Sequence, residues 1–286
     1  MFSPELCLIF IYFGVNAGKI SNEFKGLLFL VIFIKISGNK GGSNKIKKVR
    51  TVCCIFLLSS QRNTNPNGLT MKIVNLSENN TILNKFIAEI RDINVQNDSM
   101  RFRRNIARIG EIMAYEISKE LEYKTVTIET PNSPAEQNVP ADKVVLGTIL
   151  RAGLPLHTGF HNYFDNCENA FVSAYRKYRN ENEFDVIVEY LASPRLEGKT
   201  LILVDPMLAT GISAGLSYRA MLSKGTPAKT IFACVIASRQ AVDYVVQNFP
   251  EDTILYCAAI DPILNEHAYI VPGLGDAGDL CFGEKE

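Results

Sequence analysis

From residue 71 onward the chain alternates between short runs of consecutive apolar residues and longer stretches in which apolar residues recur every three or four positions. The runs VVLGTIL (144–150), LILV (201–204), IFACVIA (231–237) and TILYCAA (253–259) predict strands buried on both faces. Ile82, Phe86 and Ile90 predict one helix; Phe102, Ile106, Ile109, Met113, Ile117 and Leu121 share one face of a second, over 99–121. YKTVTIET (123–130) alternates, which predicts a half-buried strand, and the Pro/Asn/Ser-rich stretch after it predicts a loop. A helix from Leu154 leads to a strand at 170–175. The charged stretch YRKYRNENEF (175–184) and the apolar DVIVEYL after it then predict two strands joined by a polar tip, an arm able to close over a ligand. Helices follow over 213–223, ended by Gly225 and Pro227, and over 241–248. Strands alternating with helices give an α/β fold: a mainly parallel sheet flanked by helices, with a protruding β-arm or flap.

Charge divides the chain differently. Residues 1–70 hold 9 Lys/Arg and 2 Asp/Glu, a net of +7; residues 71–286 hold 21 and 28, a net of −7. The apolar patches at 6–15 and 27–34 are well short of the roughly 20 residues that span a bilayer. Residues 38–50 are polar and basic and are expected to be disordered. Met71 is the first methionine after Met1. The first 70 residues are therefore expected to be a basic leader, not native to the protein or else a targeting segment, and residues 71–286 a single domain.

Seven cysteines are scattered without a CxxC pair, so reduced thiols in a cytoplasmic protein are expected. Gly273, Gly275 and Gly278 spell G-x-G-x-x-G, but only eight residues follow, too few for a dinucleotide-binding βαβ unit; a tight turn or a backbone-lined pocket remains. EGKT (197–200) precedes a strand and lacks the first glycine of a P-loop. His157, His161 and His267 do not have the spacing of a metal site. Arg101, Arg103, Arg104 and Arg108 could bind phosphate or form a solvated or subunit-contacting face.

The chemistry concentrates in TLILVDPMLATGISA (200–214): a buried strand, Asp205 at its carboxyl end, a loop of small residues, then a helix. Ligands of open α/β sheets sit outside the carboxyl ends of strands, where N–H groups at a helix start can hold an anion. Thr210, Gly211 and Ser213 suit a phosphate and sugar site of this kind, and Arg151 ends another buried strand.

LRAGL (150–154), VDPMLATGISA (204–214) and AAIDPILNEHAYIVPGLGDAGD (258–279) together resemble the uracil phosphoribosyltransferase family, and the likeness runs from MKIV at Met71 to the final FGEKE. It implies conversion of uracil and 5-phosphoribosyl 1-diphosphate (PRPP) to UMP and diphosphate. It also implies roles. Asp205 would accept the ribose hydroxyls and stabilise a cationic ribose, while Arg151 and Arg176 would bind the departing diphosphate. Pro206, Met207, Leu208, Ala209, Thr210, Gly211, Ile212 and Ser213 would line the PRPP site, with the 5′-phosphate on residues 209–213. Ile270, Gly275, Asp276 and Ala277 would recognise uracil, mostly through backbone, and Asp276 would also lie near the sugar. Mg²⁺ is implied as cofactor, held mainly through PRPP, with no protein ligand assigned. A homodimer or higher homo-oligomer is implied, a GTP effector is left open, and neither nucleic acid nor membrane is expected as partner. Ile212 departs from the small residue usual at its position. The alternatives are a phosphoribosyltransferase for another base and an RNA-binding regulator of pyrimidine genes on the same fold, which would need a basic face.

Overall fold

The computed structural model describes residues 7–10, 31–35, 50–54, 71–178 and 184–284, with side-chain surroundings from 71 to 173 and from 189 to 284. Two compact units divide between Thr64 and Asn65. The first contains three short antiparallel strands, β1 (Cys7–Phe10), β2 (Val31–Lys35) and β3 (Arg50–Cys54), with β2 central. β1 lies within the first apolar patch and β2 overlaps the second; of residues 38–50, expected to be disordered, Arg50 begins β3 and the others lie outside the described residues.

The second unit is built on a seven-stranded sheet. Its strands are β4 (Lys72–Asn75), β7 (Val144–Leu150), β8 (Glu168–Tyr178), β9 (Phe184–Ala192), β10 (Thr200–Leu208), β11 (Lys229–Ser238) and β12 (Ile254–Asp261), in the order β4-β12-β11-β10-β7-β8-β9. Every neighbouring pair is parallel except β8 and β9. The pattern in β10 shows why its run is unbroken: Ile202 and Val204 enter one core, Leu201 and Leu203 the other, and all four are fully buried. Successive side chains of a strand point to opposite faces, so a strand covered on both faces has no polar side. Helices α1 (Leu83–Arg91), α2 (Ser99–Ser118) and α3 (Gly153–His161) supply the first core; α4 (Ile212–Met221) and α5 (Arg239–Asn248) supply the second.

Topology then fixes where a ligand can sit. From β7 the chain crosses through α3 to β8, and from β10 it crosses through α4 to β11, in opposite directions along the sheet. Adjacent strands left in opposite directions open a crevice at their carboxyl ends. Leu150 and Leu208 are the last residues of these two strands.

Two expectations are corrected. Strand β5 (Tyr123–Ile128) is not half-buried, and the stretch after it is not all loop, because β6 (Ala135–Pro140) pairs with it over its whole length. In its two strands only Val126 and Val139 are partly covered, and Thr125 donates to Asn138 at 2.8 Å across the pair. A ribbon exposed on both sides needs no apolar alternation in its second strand, which is why AEQNVP carries no strand signal. At the carboxyl end β13 (Ile263–Leu264) pairs with β14 (Ile270–Val271), and the glycine-rich run leads into α6 (Ala277–Phe282). The arm forms as expected, Tyr178 pairing with Phe184, while its tip at 179–183 lies outside the described residues.

Candidate active site

A cavity of about 670 Å³ occupies the crevice between β7 and β10. Arg151 and Ala152 line it from the end of β7, Asp205, Pro206, Met207, Ala209 and Ser213 from β10 and the loop into α4, and Ile270, Gly275, Asp276 and Ala277 from the carboxyl-terminal segment. Three motifs, with lining residues as much as 126 positions apart in sequence, therefore share one space. Ser173 of β8 and Glu189 of β9, at the base of the arm, close another side, as does Tyr269. Ser173 and Glu189 carry no signal in the sequence, since only pairing of the arm strands brings them to the crevice, whereas Tyr269 belongs to the motif at 258–279.

The loop after β10 holds itself in place. Asp205 accepts the N–H of Met207 at 3.2 Å, and Thr210 Oγ1 accepts the N–H of Ile212 at 3.4 Å. Gly211 precedes α4 with φ of +81°, a left-handed conformation that a side chain resists, and a Cβ there would lie 2.6 Å from the Tyr244 ring. Ser238 fastens the loop from beside it: its hydroxyl donates to the Ala209 carbonyl at 2.5 Å and accepts the Ala241 N–H at 2.9 Å, capping α5. Leu208 is buried in the core, and Thr210, Gly211 and Ile212 do not line the cavity. Ile212 is 37% exposed, and its branched side chain is not part of the cavity wall.

Burial pushes the Asp205 carboxyl up to about 7, the Met207 N–H only partly offsetting the loss of water. Arg151 faces it from β7. Its Nη2 donates to Asp279 Oδ1 at 2.9 Å, both terminal nitrogens reach the Gly283 carbonyl at 3.3 Å, and its buried Nε has no hydrogen-bond partner. Asp279 thus anchors the cation of the site from α6, a contact 128 residues away in sequence. Arg176 belongs to β8, but its side chain lies outside the described residues.

The segment opposite is irregular backbone. Asp276 Oδ1 accepts the N–H groups of Gly278 at 2.8 Å and Asp279 at 3.1 Å, capping α6, and the residue is exposed at the cavity wall. Gly275 has φ of +90°, and nothing in the protein crowds the side where a Cβ would stand. Backbone groups of Gly275 and Ala277 can therefore approach a planar ligand closely.

The four arginines of α2 each have a partner within the protein, although Arg101 and Arg104 remain exposed. Arg101 pairs with Glu89 at 3.0 Å, and with Asn105 it holds the Glu89 carboxyl down at about 2. Arg103 donates to the Cys281 carbonyl and lies over the Phe282 ring, Arg104 is 3.9 Å from Glu111, and Arg108 binds Asn105 and lies over Phe86. Arg101 and Arg108 brace α1 against α2, Arg103 braces α6, and Arg104 pairs within α2 itself.

A family model described as uracil phosphoribosyltransferase matches residues 77–284. A uracil phosphoribosyltransferase of Porphyromonas gingivalis is 58% identical over 215 residues, covering 75% of this chain and all of that protein. One from Methanothermobacter thermautotrophicus is 38% identical over 188 residues, 65% of this chain and 85% of that protein. Among solved structures, the AQ2163 protein from Aquifex aeolicus superposes with a TM-score of 0.66 at 26% identity, over 74% of this chain and 98% of the other. Six of the seven strands of the sheet, the crevice between β7 and β10, and the motifs that line it fall inside residues 77–284, and the chain belongs to the uracil phosphoribosyltransferase family.

Proposed function

We propose that the chain transfers the phosphoribosyl group of PRPP to uracil, giving UMP and diphosphate. The observation that carries this reading is the convergence in one cavity of Arg151, the Asp205–Ser213 loop and the Ile270–Ala277 segment, with a space between them for a sugar. The 5′-phosphate would rest on the N–H groups at the start of α4 and the Ser213 hydroxyl. Asp205 would accept the ribose hydroxyls, and its negative charge would stabilise the ribose as the bond from C1′ to the diphosphate oxygen breaks. Uracil N1 forms the new bond to C1′ and loses its proton to water, and the diphosphate takes the bonding pair. Arg151, already aimed by Asp279, would take up the growing charge on the diphosphate, with Arg176 as a second cation.

Mg²⁺ fits this site as a companion of the substrate. Among the described residues no cluster of three or more His, Cys, Asp or Glu side chains is arranged to hold a metal ion unaided. Asp205 and Asp276 both line the cavity, and Mg²⁺ commonly pairs one or two carboxylates with substrate phosphates and water. Bound there it would neutralise phosphate charge.

Uracil would be read by backbone groups of Ile270, Gly275 and Ala277. An N–H directed at the uracil 4-oxygen would oppose the amino group of cytosine, and buried donors left unpaired discriminate by about 10⁴ or more. The RNA-binding alternative is disfavoured by the net charge of −7 over residues 71–286 and by the partners that the arginines of α2 already have within the protein. We assign the activity to residues 71–286, since every residue lining the cavity lies between 149 and 278. A homodimer and a cytoplasmic setting belong to the same proposal; among the described residues no helix is long and apolar enough to cross a membrane. The test is UMP formation by the full chain from uracil, PRPP and Mg²⁺, with cytosine, orotate and hypoxanthine as controls. UMP from uracil alone among the bases supports the reading, and absence of UMP overturns it.

A further inference from the structure

Resting on the assignment of uracil to the Ile270–Ala277 segment, we infer that Arg91 and Asp261 set base affinity and base discrimination from behind that segment, as positioning residues outside the cavity. Neither lines the cavity. Arg91 is the last residue of α1 and Asp261 the last of β12, and they meet as a two-pronged pair, Nη2 to Oδ1 at 2.7 Å and Nη1 to Oδ2 at 2.8 Å. Both also grip Gly273. Arg91 Nη1 donates to the Gly273 carbonyl at 2.9 Å, and Asp261 Oδ2 accepts the Gly273 N–H at 2.9 Å.

The geometry makes this pair a clamp. Irregular backbone has no ladder of its own to fix it, and here the donor and the acceptor of a single residue are each held by a charged partner. Charge-assisted bonds are roughly twice as strong as neutral ones. The Asp261 side chain is only 6% exposed and that of Arg91 21%, so water competes little for either bond. Gly273 is two residues from Gly275, and Leu274 between them is buried in the core shared with α1 and α2. The position of the base-reading groups is thereby referred to α1 and β12. Gln96 extends the support: its amide donates to the Arg91 carbonyl at 3.1 Å, and its Oε1 would lie 3.9 Å from a Cβ placed on Gly275. A buried ion pair is weak evidence for stability but can fix one geometry among several. Misplacement of a bound group by about 1 Å can cost about 100-fold in rate.

Asp261→Asn keeps the side-chain shape but puts an amide donor against either Arg91 or the Gly273 N–H. In the full chain we expect KM for uracil to rise about tenfold or more, the scale of a lost charged hydrogen bond. KM for PRPP should stay within about twofold, and preference for uracil over cytosine should fall by a similar factor. Arg91→Lys keeps the charge without the fork and should shift the same quantities in the same direction by less. Unchanged uracil KM and preference in folded Asp261→Asn overturn the inference, as does a rise in both KM values together with a lowered melting temperature, which is the mark of a merely structural pair. Should Asp261→Asn fail to fold, Arg91→Lys decides by the same criteria. A wild-type chain inert toward uracil removes the functional reading and this inference with it, whereas an active wild type with unaltered variants removes the inference alone.

Discussion

The Asp205–Ser213 loop and the Ile270–Ala277 segment face the same cavity but are held by opposite means. The first is a strand, a turn and a helix in immediate succession, and most of its bonds are local: Asp205 to Met207, Thr210 to Ile212, with Ser238 from the next strand as its outside fastening. The second has only a two-residue ladder of its own, and its fixed points come from α1 and β12, up to 182 residues away. A site for a phosphate and sugar can be written in one continuous stretch because a helix start already presents aligned N–H groups. Recognition of one base against another needs N–H and C=O groups at particular angles, which regular structure does not supply, so distant side chains must hold them. Damage to the first region should therefore appear in chemistry and PRPP binding, and damage to the second in the base alone.

The largest expected effect lies in the first region. Asp205→Asn removes the charge while keeping the shape, and we expect kcat to fall about 10²- to 10³-fold, the scale of a lost electrostatic contact to a transition state. Circular dichroism and melting should show a folded protein, and turnover within threefold of wild type would take Asp205 out of the mechanism. The same residue predicts a pH profile. Because burial raises its carboxyl to about 7, the ionised form gains population between pH 5 and 8, and kcat/KM for PRPP should climb with an inflection near 7 that Asp205→Asn lacks. The sign for stability is opposite. The folded state holds this proton more tightly than the unfolded chain, so the contribution of Asp205 to stability is greatest at low pH and declines as pH rises through about 7.

What the sequence made legible follows the same division. β7, β10, β11 and β12 are unbroken apolar runs because both their faces are covered, and Asp205 and Arg151 could be located as the polar residues at the ends of such runs. The arm could be read from its charged tip. β6 was hidden because a solvated ribbon imposes no apolar period, and β4 because it is a four-residue edge strand. The glycine-rich run left a tight turn or a backbone-lined pocket open; Gly275 and Gly278 do line the cavity, while the short helix that Asp276 caps there was not foreseen. The Arg91–Asp261 clamp, the Asp279 anchor of Arg151 and the Ser238 fastening depend on residues brought together only by the finished sheet, and no local pattern announces them.

A middle-sized effect should come from the second region. Gly275→Ala places a side chain where φ is +90°, a strain of about 1–2 kcal/mol for an L-residue. If the loop shifts to relieve it, KM for uracil should rise about tenfold, with KM for PRPP within about twofold. Gly198→Ala is the matching control: φ there is +69°, nothing lies within 4 Å of the added methyl, and the residue does not line the cavity. Equal stability losses in the two variants, with a uracil defect in Gly275→Ala alone, would separate backbone strain from base recognition. A uracil KM unchanged in Gly275→Ala would argue against close approach of the base to this backbone.

The smallest effect should arise inside the first region itself. Ile212 stands at the start of α4, where a branched side chain would obstruct an anion if it turned toward the cavity. It is partly exposed and does not line that space, so its side chain is expected to take no part in binding. Ile212→Ala should leave KM for PRPP within about twofold, and stability within about 0.5 kcal/mol, as for a surface change away from any cap or core contact. A change of tenfold in either direction would mean that the side chain touches the ligand, and the loop would then no longer be a site made of backbone. Together with Gly275→Ala, this variant asks the same question of both regions: whether backbone position or side-chain identity does the binding. A small effect here and a base-specific defect there would show that both regions bind through backbone, one positioned by its own helix and the other by a distant ion pair.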